Sequence, residues 1–141
     1  MPPATVPGVS FSTQWVPTMK RVLDVGQCSP DHWSIKHLVE GELGAEIVQA
    51  HLSGEALEKL RADKFDLVLV NRKFDADYSD GLELIRAIKT DAALAEVPVM
   101  LVSNYPEAQA EAVAAGALPG FGKAELRSPT TKEKLSAALA E

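Results

Sequence analysis

One cysteine, Cys28, is present in 141 residues, so no internal disulfide can form, and a chain of this length can be held by its core without one. That usage suits a reducing compartment, and a cytoplasmic location is expected. No apolar run approaches the roughly 20 residues that a membrane-spanning helix needs, and the amino terminus lacks the basic start and apolar stretch of a secretory signal. Positive charge is not in excess: 20 acidic residues against 14 basic ones leave a formal charge of −6, which argues against nucleic acid and against anionic membrane surfaces as partners. A protein partner or a small ligand fits that balance better. His32, His37 and His51 have no metal-ligand spacing with Cys28 or with one another, so neither a metal site nor a cofactor is expected.

Residues 1–19 carry no charged side chain but hold Pro2, Pro3, Pro7 and Pro17, together with Phe11 and Trp15. This composition reads as an N-terminal tail, with residues 20–141 forming a single domain. The two aromatics are costly to leave in water, and packing onto the domain is one way to cover them.

From Lys20 onward, short apolar runs alternate with segments of helical period, the pattern of an α/β fold whose parallel sheet is covered on both faces. Strands are expected at Arg21 to Val25, Ala45 to Ala50, Phe65 to Val70, Val97 to Val102 and Leu118 to Gly122. Between and after them lie helices with buried stripes: Ile35, Leu38 and Val39; Ala56, Leu57 and Leu60; Leu82, Ile85 and Ile88; a stretch from Pro106 to Ala115 closed by Gly116; and Leu135 with Leu139. Ser29, Ser53, Asp80 and Ser128 are the expected N-caps, two of them followed by proline. The result is an open, doubly wound, five-stranded parallel sheet. Such sheets place ligands beyond the carboxyl ends of their strands, which directs attention to Gly26, Gln27, Asn71, Ser103 and Lys123.

The run from Asp66 to Asn71 followed by Asp80-Gly-Leu-Glu-Leu-Ile85, the segment Val97-Pro-Val-Met-Leu-Val-Ser103, and Ala114-Ala-Gly-Ala117 with Lys123 resemble, in order and spacing, the response-regulator receiver domain. The resemblance covers nearly everything after the tail and implies a flavodoxin-like, receiver-type fold. In that family the third strand ends in an aspartate that takes up a phosphoryl group, and two acidic residues after the first strand help it to hold Mg²⁺. The corresponding positions here are Asn71, Gly26 and Gln27, none of them a carboxylate. A carboxamide is uncharged and a poor nucleophile toward phosphorus, and Mg²⁺ is usually fixed by one or two carboxylates plus phosphate oxygens. The aromatic that the family carries on its fifth strand falls at Gly120, with Phe121 turned to the opposite face, and the proline that usually follows the lysine is Ala124.

These departures make a degenerate phosphorylation site the expectation, and with it a non-enzymatic protein-binding module in a two-component-type pathway. The resemblance implies a histidine kinase, a phosphotransfer protein or another signalling protein as partner, and a homodimer is an alternative. Two rivals stand beside this reading: a small anion or nucleotide-type ligand held in the vacated pocket, and phosphorylation at a relocated aspartate of the loop from Asp75 to Asp80. That loop does not follow the calcium pattern, since Asp80 and Arg86 stand where glycine and glutamate are required. Lys123 is expected to bond the Asn71 side-chain oxygen or nearby carbonyls, and Ser103 can simply satisfy backbone groups. Asp24 interrupts the first strand and, if buried, needs a partner. Trp33 falls off the apolar stripe of the first helix and is a candidate contact for a protein partner.

Overall fold

The computed structural model describes residues 19–140, so the expected tail, including Phe11 and Trp15, lies outside the described residues apart from Met19. Five strands form one sheet: β1 (Arg21–Val25), β2 (Glu46–Ala50), β3 (Leu67–Asn71), β4 (Val99–Val102) and β5 (Leu118–Phe121). All pair in parallel, in the order β2-β1-β3-β4-β5. The helices are α1 (Ser29–Lys36), α2 (Ser53–Ala62), α3 (Gly81–Thr90), α4 (Pro106–Ala114) and α5 (Pro129–Leu139). None of them is long and apolar enough to cross a membrane.

Alternation along the strands divides the core into two layers. Leu23, Val25, Val68, Val70 and Leu101 pack with Ala56 and Leu60 of α2, Leu82, Leu84, Ile85 and Ile88 of α3, and Ala112 of α4. On the other face Val22, Leu67, Leu69, Met100, Val102 and Phe121 meet Ile35 of α1 and Leu135, Ala138 and Leu139 of α5. Phe121 therefore does turn away from the face toward which Gly120 points, as strand alternation requires. Because the chain goes outward from β1 to β2 and returns to β3 on the other side, the sheet has its switch point at the carboxyl ends of β1 and β3.

Two expected caps are displaced by one residue. Cys28 and Leu52, not Ser29 and Ser53, occupy the N-cap positions of α1 and α2, and neither helix has a side-chain cap. In α2 the first turn is tied down from inside, since the Glu55 carboxylate accepts from the backbone N–H of His51 at 2.7 Å. Asp80 and Ser128 do cap α3 and α5, accepting from Leu82 N–H at 2.9 Å and from Thr130 N–H at 3.2 Å. The first helix also does not end where its stripe ends; it continues as a π-helix over His37–Glu42, with Leu38 and Val39 buried.

Candidate functional site

At the switch point the β1–α1 and β3–α3 loops close on each other. Gly26 has a φ of +84°, a conformation open to glycine, and the Phe74 ring packs against its bare α-carbon: a Cβ there would lie 2.3 Å from the ring. Phe74 is fully buried, and the backbone around it is tied across the gap, Asp75 N–H donating to Gly26 O at 2.9 Å. The ring thus fills the space into which a side chain at position 26 would project. Phe74 carries no signal of this role in the sequence, because nothing in a loop of mixed composition marks one aromatic as the plug of a neighbouring loop.

Asn71 ends β3 beside this plug. Its amide donates to Gly26 O at 3.1 Å and to Lys73 O at 2.6 Å, and with two carbonyl oxygens facing it the nitrogen must occupy that corner. An aspartate would set an anionic oxygen against both carbonyls. Asn71→Asp is therefore expected to destabilise the fold by about 2 kcal/mol, the loss of two donated bonds plus acceptor repulsion, read as a lower urea midpoint at unchanged slope.

Lys123 does not bond Asn71 as expected from the sequence. Its ammonium pairs with the Asp31 carboxylate of α1 at 2.7 Å. An ionised acceptor within reach outcompetes a neutral amide, because charge-assisted bonds are roughly twice as strong. The lysine holds the Asp31 carboxyl below its ordinary value, and the Cys28 thiol, which donates to Asp31 at 3.2 Å, adds to the effect. Ser103 is buried and its hydroxyl oxygen accepts from the Tyr105 N–H at 3.1 Å. Asn71, Ser103 and Lys123 share an open depression of about 240 Å³ with Arg72, Lys73 and Asn104. Neither Gly26 nor Gln27 lines it.

Gln27 instead belongs to a buried polar cluster with Asp24. Both residues are almost wholly enclosed. The Asp24 carboxylate meets the His32 ring at 2.7 Å, while its second oxygen and both polar atoms of the Gln27 carboxamide lack a partner at full hydrogen-bond geometry among the described residues; the Gln27 side chain beside it favours the ionised carboxylate, less than His32 does. His32, to which the sequence assigned no chemistry, is thus the partner that Asp24 needed; the two lie eight residues apart, and only the return of α1 over β1 joins them. Burial pushes the Asp24 carboxyl up from its ordinary value, with the His32 bond opposing.

A raised acid binds its proton more tightly in the folded chain than in the unfolded one. Its favourable contribution is present at low pH and is lost as pH rises from the ordinary value of 3.8 through the folded value. Asp31 has the opposite sign, stabilising above 3.8 and failing as pH falls through its lowered value. Asp24→Asn keeps an acceptor for His32 and removes the buried charge. Its stability relative to the parent chain is expected to improve from about pH 4 to pH 7, as measured by urea unfolding at both values.

The far side of the rim is closely packed as well. A Cβ on Gly120 would lie 2.1 Å from Leu101 O and 2.9 Å from Gln109 Oε1. The Gln109 side chain of α4 enters an irregularity in the β4–β5 ladder, donating to Leu101 O at 2.9 Å and Ser103 O at 3.1 Å and accepting from Gly120 N–H at 3.1 Å. The peptide bond between Lys123 and Ala124 is trans. No three His, Cys, Asp or Glu side chains converge on a potential metal position among the described residues. A magnesium ion of the kind the receiver resemblance implies does not fit this rim: position 26 has no side chain and is plugged by Phe74, Gln27 faces the interior, and Asn71 presents a donor toward the loop.

No protein-family model matches the chain. Among solved structures it resembles the signal receiver domain of a DNA-binding response regulator from Colwellia psychrerythraea 34H, with a TM-score of 0.73 at 21% identity over 86% of this chain and 99% of that one. A response regulator from Thermotoga maritima gives 0.72 at 24% identity, covering 88% and 100%. The N-terminal domain of a response regulator receiver protein from Methanoculleus marisnigri JR1 gives 0.64 at 27% identity, covering 86% and 94%. The fold is that of the receiver domains of two-component response regulators.

Proposed function

We propose that this receiver-fold chain is a protein-binding signalling module that works without being phosphorylated. The observation that carries this reading is the Asn71 carboxamide, which donates to the carbonyls of Gly26 and Lys73 where phosphoryl uptake would require an anionic oxygen free to attack. Phe74 over Gly26 and the inward-facing Gln27 support it, since each stands where a metal-binding carboxylate would be needed. With no phosphoryl group to read, recognition rests on surfaces that are permanently formed, among them α1 with its exposed Trp33.

The rival reading of an anion binder would have to draw on Arg72 and Lys73 of the depression, because Lys123 is paired with Asp31 and the Asn71 amide with two carbonyls. A relocated aspartate finds little support either: Asp77 accepts from the N–H and hydroxyl of Ser79, and Asp80 caps α3. Incubation with Mg²⁺ and a small phosphodonor, followed by intact-mass measurement at neutral pH, is expected to leave the mass unchanged. A phosphoryl adduct on any aspartate would refute the proposal.

A further inference from the structure

We infer that Asp24 and Gln27 form a buried proton-binding site whose state sets how firmly α1 is seated on β1. The Gln27 carboxamide turns over as Asp24 gains or loses the proton. Asp24 is wholly enclosed and Gln27 nearly so. His32 occupies one carboxylate oxygen of Asp24, while Oδ1 and both polar atoms of Gln27 have no partner at full hydrogen-bond geometry among the described residues. Leaving these three atoms unpaired in the interior is costly. One proton relieves them in two different ways. When Asp24 is ionised, Oδ1 only accepts, and Nε2 of Gln27 is the donor that suits it. When Oδ1 carries the proton it donates, and Oε1 of the same carboxamide is the acceptor it needs. The exchange takes a half-turn of the terminal glutamine torsion, which is roughly two-fold.

The groups facing Asp24 leave a proton as the main relief of its charge. The register sets Gln49 of β2 and Leu69 of β3 beside it, neither of them titratable. α1 supplies His32, and Lys123 beyond β5 acts on Asp24 without contact, its ammonium being paired with Asp31 at 2.7 Å. The Cys28 thiol is likewise turned to Asp31. α5 brings only Leu135, Ala138 and Leu139 to this layer of the core, together with Thr131, whose hydroxyl donates to Glu125 O at 2.7 Å. His32 covers Asp24 only while α1 lies over β1, so opening of α1 returns the carboxyl to water. Burial lifts that carboxyl above its ordinary 3.8, so the closed seat binds the proton more tightly than the open one. The proton therefore holds α1 down in acid, and the hold is lost as pH rises from 3.8 through the folded value. Because α1 carries the exposed Trp33, the state of the buried pair reaches the surface.

An NMR titration of the full ¹³C,¹⁵N-labelled chain from about pH 4 to 8 tests the inference without any substitution. Asp31, held below 3.8, stays largely ionised over this range, so its tie to Lys123 is constant. The Asp24 Cγ resonance is expected to titrate with a midpoint above 3.8. The Gln27 Nε2 protons should move upfield on acidification at the same midpoint, as they lose an ionised acceptor. Amide exchange corrected for intrinsic rates should show α1 opening, relative to α3, at least about threefold more often above that midpoint than below it. Asp24→Asn should abolish this difference. An Asp24 midpoint at or below 3.8 would overturn the inference, as would Gln27 signals that stay flat or follow another midpoint. So would α1 opening that ignores pH, or that keeps its dependence in Asp24→Asn.

Discussion

Gly26→Asp, which places a carboxylate just after β1, is expected to cost more than about 3 kcal/mol of stability. Two effects add. The residue sits at a φ of +84°, where a side chain is strained, and its Cβ would lie 2.3 Å from the Phe74 ring, which is fully buried and cannot retreat without opening the loop. Gly26→Ala should already incur most of the penalty, because the first carbon meets the ring. Pairing Gly26→Asp with Phe74→Ala should be less destabilising than the sum of the two single changes, since the plug and the new side chain compete for one space. Urea midpoints of the four chains check this. Strict additivity would mean that the ring does not fill that position.

Placing an aromatic at position 120 on β5 has a similarly large expected effect. Gly120→Tyr would drive a Cβ to 2.1 Å from Leu101 O and push aside Gln109, whose amide ties α4 to the carbonyls of Leu101 and Ser103 and to the N–H of Gly120. A loss beyond about 3 kcal/mol is expected, from strain in the β4–β5 ladder and from buried polar groups left unpaired. Because backbone obstructs the first side-chain carbon, Gly120→Ala should cost nearly as much as Gly120→Tyr. If alanine is tolerated and only tyrosine destabilises, the obstruction lies farther out and the account of β5 is wrong. Amide hydrogen exchange would locate the damage, with protection lost first in β5 and α4.

Most of the fold was legible because its signals are periodic and local. The five apolar runs, the helix stripes, Gly116 at a φ of +113° and the caps at Asp80 and Ser128 all follow from spacing along the chain. The caps at Ser29 and Ser53 were misplaced by one residue, since serine followed by proline or glycine reads alike whether serine stands at the cap or in the first turn. At the candidate site the sequence puts glycine, glutamine and asparagine at positions 26, 27 and 71, since side-chain chemistry is read directly from the letter. What occupies the room was not legible. Phe74 against Gly26, His32 against Asp24, Lys123 on Asp31 and Gln109 within the β4–β5 ladder each join residues from separate elements or loops. No period or motif marks such pairs, and only the closing of the sheet's carboxyl rim creates them.

The central claim is that this rim supplies neither an attacking oxygen nor a seat for a divalent ion. Beryllofluoride, a phosphoryl mimic that requires both, tests it most directly when added with Mg²⁺ to the ¹⁵N-labelled chain. The account predicts amide resonances of Gly26, Asn71, Ser103 and Lys123 unmoved through the titration. Saturable shifts centred on those four residues would contradict it.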